Sequence, residues 1–209
     1  MKTLVLDLET TVQKIGGKTD NSPFNPDNSC VSAHFGWLTE DGLGEVTNLV
    51  FNHNEQTTPD SMKPLVDAVE QADVLIAHNA KFDGMWLQEM GITIPHTIRC
   101  TMINEYILAK GQRTPLSLKA TAQRRNVTRK KSDLVDELFK SGTGFEAMPL
   151  DTVLEYAEAD IVSCAEVYLS QQADFAKEEN KSLESIVVLM NEMLVFLLEI
   201  ETNGIHVDR

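Results

Sequence analysis

Four acidic side chains stand where an unpaired carboxylate is costly. The chain opens MKTLVLDLETTV, in which Leu4, Leu6 and Leu8 alternate with Val5, Asp7 and Glu9. That period predicts a strand with Asp7 and Glu9 on one face. Two like charges on one face of a sheet disfavour each other and raise each other's pKa. Asp83 follows Asn79 by four residues, one turn along the helix expected after the apolar run ADVLIAHN, and Asp160 follows Tyr156 by the same step. Taken singly, each acid reads as a helix cap or a surface residue. Together, on or beside apolar elements, they suit a cation, because burying a lone carboxylate is unfavourable. Hard oxygen ligands favour Mg²⁺ or Mn²⁺, and two such ions about 3.5–4 Å apart can clamp both reacting oxygens of a phosphodiester.

Competing chemistries lack their residues. The sequence has no CxxC, no HExxH, no GxSxG and no glycine-rich phosphate loop after a strand. His34, His53, His78, His96 and His206 are scattered and read as surface or loop residues, with His78, nearest the acids, in a structural role. Cys30, Cys100 and Cys164 are odd in number and widely spaced, so a reduced, cytoplasmic compartment is expected. Acids within the first ten residues exclude a secretion signal. The most apolar stretch, Ile186 to Ile200, is interrupted by Asn191 and Glu192 and is too short and polar to span a bilayer.

The elements that must position these acids follow from periodicity. After the first strand, KIGGKTDNSPFNPDNS reads as a surface loop. VSAHFGWLT and EVTNLVFN form a hairpin around EDGLG. MKPLVDAVEQA is helical, ADVLIAHN is a strand buried on both faces, and Asn79 caps the helix AKFDGMWLQEM, which Gly91 closes. TMINEYILAK and LSLKATAQRRN are helical. Pro149 with a Thr152-x-x-Glu155 capping box opens another helix, and a last one runs from Leu183 to Thr202. Strands first, then alternating helix and strand, predict an α/β fold with a mixed β-sheet flanked by helices.

The net charge of −14 argues against a nucleic-acid partner, but its distribution does not. Between Lys110 and Lys140 nine basic residues face three acids, a formal +6, while the rest of the chain carries −20. The window reads either as a solvated helical surface or as a phosphate-facing patch.

Three short motifs carry a resemblance. Asp7-Leu8-Glu9-Thr10, His78-Asn79-Ala80-Lys81-Phe82-Asp83 and Tyr156-Ala157-Glu158-Ala159-Asp160 resemble, in order, the three motifs of the DEDD 3′–5′ exonucleases. Tyrosine in the third places the chain in the tyrosine subclass, which includes polymerase proofreading domains and RNase D-like RNA enzymes. The resemblance implies a ribonuclease-H-like fold and a cofactor of two Mg²⁺ or Mn²⁺ ions. It implies that Asp7, Glu9 and Asp160 hold one ion and that Asp83 reaches a second, which Asp7 bridges. Tyr156 and Glu9 would be the catalytic pair orienting water, with Thr10 and Asn79 binding the substrate. The basic window would guide single-stranded DNA at its 3′ end. The apolar side chain that such enzymes place after the first motif is left open between Val12 and Ile15.

The segment Glu201-Thr202-Asn203-Gly204-Ile205-His206-Val207-Asp208, after an apolar helix, resembles the start of the polymerase region in family-A DNA polymerases. An exonuclease domain over residues 1–178 and a helical connector over 179–209 toward a polymerase domain beyond Arg209 are therefore expected. The first motif's position next to Met1 points to a bacteriophage-type polymerase, acting in a bacterial host's cytoplasm. An RNase D-like RNA exonuclease and a degenerate, non-catalytic binding domain are the alternatives.

Overall fold

A computed structural model describes residues 1–128, 133–204 and 206. In chain order the elements are β1 (Thr3–Thr10), β2 (Gln13–Ile15), β3 (Lys18–Asp20), β4 (Cys30–Thr39), β5 (Gly42–Val50), α1 (Lys63–Gln71), β6 (Val74–Ala77) and α2 (Ala80–Glu89). They continue with β7 (Thr97–Cys100), α3 (Thr101–Leu108), α4 (Leu118–Arg125), α5 (Asp133–Lys140), α6 (Leu150–Phe175) and α7 (Glu184–Asn203). One mixed sheet of five strands runs β5-β4-β1-β6-β7, so β1 is central. β4 pairs antiparallel with β1 and with β5, while β6 and β7 continue the sheet in parallel.

The alternation of β1 assigns its two faces. Leu4, Leu6 and Leu8 enter the larger core with residues of α1, α2 and α7. Val5 packs on the other face against Cys164, Ala165 and Val167 of α6 and Leu118 and Ala122 of α4. Leu4 and Leu6 have no exposed surface, and each contributes on the order of 2 kcal/mol by burial. Asp7 and Glu9, in phase with Val5, therefore belong to the α6 side.

Three local expectations are corrected. The segment read as a loop holds the β2–β3 hairpin, turned by Gly16 and Gly17 at φ +59° and +80°, a conformation glycine adopts without a Cβ clash. Strands of three residues are too short for a period-two signal. Asn79 does precede α2, but at φ +64° and with no capping bond from its side chain, so it turns the chain rather than capping the helix. Thr152 is no cap either: α6 begins at Leu150 after Pro149, and the Thr152 N–H already bonds the Pro149 carbonyl at 2.9 Å. Gly91 closes α2 as expected, with Gly91 N–H on Gln88 O and Ile92 N–H on Leu87 O, both orphan carbonyls being satisfied.

α7 is joined to the core. Leu194 and Leu198 are buried in it, and Asn191, 1% exposed, accepts from the Cys100 N–H at 2.7 Å and donates to Asn104 Oδ1 and Val187 O. A Cβ on Gly84 would stand 2.7 Å from Leu198 Cδ1, so glycine permits the close approach of α2 and α7. Among the described residues no helix is long and apolar enough to cross a membrane. Arg129, Lys130 and Lys131 of the basic window, and Ile205, Val207, Asp208 and Arg209 of the C-terminal segment, lie outside the described residues.

Candidate active site

The acids converge at the C-terminal half of β1, where the sheet thins. β6 pairs with Thr3–Val5, so beyond Val5 the edge of β1 on that side has no strand partner among the described residues. On the α6 face, Asp7 and Glu9 meet Asp160, and one oxygen from each lies within 4.8 Å of the other two. Glu9 is 7% and Asp160 4% exposed. Three carboxylates so close in a low-dielectric setting repel one another strongly. An all-oxygen donor set at this spacing fits a hard divalent cation, and the charge argues for one.

Asp83 stands beside this trio rather than in it. It comes from the first turn of α2, is 1% exposed, and accepts from the Leu8 N–H at 3.2 Å, occupying the strand edge that β6 leaves open. Burial, and then the charge of Asp7, push its carboxyl well above the usual range; backbone N–H groups, that of Leu8 among them, pull the other way. Burial followed by the charges of Glu9 and Asp83 raises the Cys30 thiol to about 12. The Cys164 thiol is raised by burial and then by Asp7 and Asp83, so the charge of Asp7, Glu9 and Asp83 is felt at the two thiols.

Tyr156 sits one helical turn before Asp160 on the buried side of α6. Burial, then the charges of Asp160, Glu9 and Asp7, raise its phenol, which therefore stays protonated and can donate. Its ring is held by Phe145 at 5.6 Å, and Phe145 is held in turn by Phe139 of α5 at 4.8 Å, edge to face. Thr10 ends β1 at a bulge, where the partner of Glu9 is Ser32 but that of Thr10 is Cys30. Bulges re-aim side chains, and this one falls directly after the acid pair. Asn79 is exposed at its left-handed turn, and Val12 and Ile15 are 36% and 59% exposed. Phe82 and Trp86 pack on the larger core, as their helical spacing suggests.

His34 and His53 are buried, not surface residues. His34 lies opposite Asp7 on β4, bonded at 2.7 Å to Asn48 Oδ1 and to Ser32 Oγ, and its burial lowers its pKa to about 4. Ser32 and His34 alternate on one face of a strand otherwise apolar there, a period-two signal that the sequence carried. His53 bonds the Met148 carbonyl. His78 is structural as expected, joining Thr101 Oγ1 and Leu116 O at 2.8 Å each.

Three of the six described basic residues of the window pair within the protein. Arg124 and Arg125 pair with Glu105 of α3, Arg125 also with Asp174, and Lys119 with Asp133 and Asp136. Lys110, Arg113 and Lys140 are exposed.

With this geometry in place, likeness to known proteins is informative. Brucella melitensis NrnC, in a structure bound to pGG, superposes with a TM-score of 0.68 at 16% identity, over 97% of this chain and 85% of its own. Escherichia coli RNase D gives 0.52 at 16%, over 91% and 45%. The family B DNA polymerase of Pyrobaculum calidifontis gives 0.51 at 15%, over 83% and 24%. At such identities these show a shared ribonuclease-H-like exonuclease fold. No curated protein sequence matches the chain. The family described as 3′–5′ exonuclease matches residues 39–172, which includes Asn79, Asp83, Tyr156 and Asp160 but begins after Asp7 and Glu9. The first acid pair thus joins the motif residues of that match only through the pairing of β1 in the sheet, and with the match spanning more than half of its length the chain belongs to the 3′–5′ exonuclease family.

Proposed function

We propose that the chain removes terminal nucleotides from the 3′ ends of single-stranded DNA, as the proofreading part of a family-A DNA polymerase. The observation that carries the catalytic part is the convergence of Asp7, Glu9 and Asp160, with Tyr156 one turn away. In this reading Asp7, Glu9 and Asp160 would hold one Mg²⁺ or Mn²⁺ ion, and Asp83 together with Asp7 would hold a second. Bound divalent cations would supply an acidified water and neutralise charge developing on the scissile phosphate. The phenol of Tyr156, which stays protonated, and the Glu9 carboxylate would orient the attacking water toward the phosphorus of the last phosphodiester. The water oxygen forms a new P–O bond as the P–O3′ bond breaks; the water gives up a proton to solvent and O3′ takes one from solvent, leaving a shortened strand with a 3′ hydroxyl and a nucleoside 5′-monophosphate. Thr10 contacts the terminal nucleotide and Asn79 the phosphate beside it. Exposed Lys110, Arg113 and Lys140 guide the strand through its backbone.

The name of the matched family, which refers to the exonuclease of A-type DNA polymerases, supports the proofreading assignment. So does the C-terminal resemblance, which makes residues 1–178 the exonuclease unit and 179–209 the connector. A second reading, an RNase D-like RNA exonuclease, is favoured by the likeness to RNase D, described as an exoribonuclease, and to NrnC bound to pGG. Rates on matched single-stranded DNA and RNA oligonucleotides with a labelled 5′ end decide between them. Faster DNA trimming is the expected result; a preference for RNA would replace the first reading by the second.

A further inference from the structure

α7 carries two apolar stripes, and only one is used. Val187, Asn191, Leu194 and Leu198 face the domain and are buried. On the opposite side, Ile186, Leu189, Met193, Phe196 and Ile200 follow one another at intervals of three, four, three and four residues, and all are exposed. That is the spacing of the a and d positions of a heptad repeat, sustained over two heptads. Met190 and Leu197 widen the stripe at the e positions. These seven side chains, each between 38% and 56% exposed, present on the order of 500 Å² of contiguous apolar surface, the upper end for a domain that works alone.

The flanking charges select the occupant. Glu192 and Glu199 fall at the g positions, both exposed, and no basic residue stands at e or g. A second copy is a poor fit in either orientation. Antiparallel helices would bring these glutamates face to face; parallel ones would set them against Met190 and Leu197, with no cation to meet them. Each copy also carries −14.

We infer that this stripe is a docking seam for one amphipathic helix whose apolar ridge is flanked by lysine or arginine. The seam would bury a ridge of leucine-like side chains, and Glu192 and Glu199 would fix register and partner by pairing with the basic flank. The inference does not depend on the reaction proposed above.

The test uses the whole 209-residue chain and labelled 21-residue helical peptides, with binding read by fluorescence anisotropy. One peptide has Leu at a and d with Lys at e and g, a second has Glu in place of Lys, and a third scrambles the first at equal charge. The Lys-flanked peptide should bind at least about tenfold more tightly than the scrambled one, since a lost apolar ridge is worth well over one factor of ten in affinity. Leu189→Ser with Phe196→Ser, both at exposed positions, should abolish that margin while leaving nuclease rate and circular dichroism unchanged. Glu192→Lys with Glu199→Lys should turn the preference toward the Glu-flanked peptide. Equal binding of ordered and scrambled peptides would overturn the seam. An unchanged preference after charge reversal would overturn the choice of a basic partner. A dimer at micromolar concentration in sedimentation, dissolved by Phe196→Ser, would assign the seam to a second copy instead.

Discussion

The protein buries acids in two places and treats them in opposite ways. At α3, Glu105 is 4% exposed, yet Arg124, Arg125 and Gln171 all reach its two oxygens. Burial there would raise its pKa, but the bonds from Gln171 and Arg125 and the arginine charge hold it below its usual value. Asp83, just as buried, has backbone N–H groups as its resolved help and Asp7 as its charged neighbour, and is driven up. The first cluster carries its counter-charges in its own sequence; the second gathers like charges. An arrangement of like charges persists in a folded protein only where something outside the chain gives it a use.

The largest difference between the clusters should be seen in activity. Asp160→Ala or Asp7→Ala removes a ligand from the trio, and loss of several kcal/mol of transition-state stabilisation corresponds to a fall of about a thousandfold or more in trimming rate. Circular dichroism of either variant should match the parent, so that the lost rate is read on a folded chain. Wild-type rates retained in either variant, or in EDTA, would remove the cluster from the reaction.

At the other cluster the same kind of substitution should act on the fold. Glu105→Ala leaves Arg125, whose side chain is 8% exposed, with the half-buried Asp174 as its carboxylate partner and a bond to Ser170 Oγ, and breaking a buried pair costs about 3–5 kcal/mol. The midpoint of urea unfolding should fall accordingly, while the folded fraction keeps a rate within a fewfold of the parent. A collapse of kcat in fully folded Glu105→Ala would mean that the two clusters are not separable in this way.

This contrast also explains what the sequence could and could not show. Asp7, Glu9 and Asp160 were legible because strand and helix periods fix which face a residue takes, whatever the surroundings. The mixed sheet was legible for the same reason: LVLDLET and VLIA can hardly be other than central strands. The internal pairing of Arg124 and Arg125 in the basic window was not legible, because a charge count is blind to partners. Glu105 is nineteen and twenty positions before Arg124 and Arg125, a separation no local pattern reports. The β2–β3 hairpin and the bulge at Thr10 depend on backbone pairing over a few residues, below the length at which periodicity speaks. The side of α7 that meets the domain could not be read from its sequence, which is apolar on both sides; it is the side of Val187, Leu194 and Leu198, with Gly84 making room for Leu198.

His34 sharpens the comparison from within the acid-rich end. It stands opposite Asp7, but burial keeps it neutral, with a pKa of about 4. The unfolded chain binds a proton at this site below about pH 6.5 and the folded one does not until about pH 4. Stability tied to His34 is therefore complete above pH 6.5 and is lost as pH falls toward 4, by roughly 3 kcal/mol in all. Equilibrium unfolding of the parent and of His34→Gln across pH 4–7 measures it: the parent's slope should exceed the variant's by up to one proton. Equal slopes would mean that the imidazole takes up its proton as readily in the folded chain as in the unfolded one, and a parent slope below the variant's would mean that it is held charged beside the acids.

The smallest effect is the most diagnostic of the site's purpose. Asp83→Asn keeps an oxygen to accept from the Leu8 N–H and removes a buried charge that Asp7 opposes. In chelator the variant should be more stable than the parent by about 1–2 kcal/mol at neutral pH, a rise of a few degrees in melting temperature for a chain of this size. With Mg²⁺ or Mn²⁺ added the order should narrow or reverse, because only the carboxylate gains from the ion and stabilisation follows ligand occupancy. A variant that melts lower than the parent in chelator would show that the Asp83 charge is already compensated inside the protein, as that of Glu105 is.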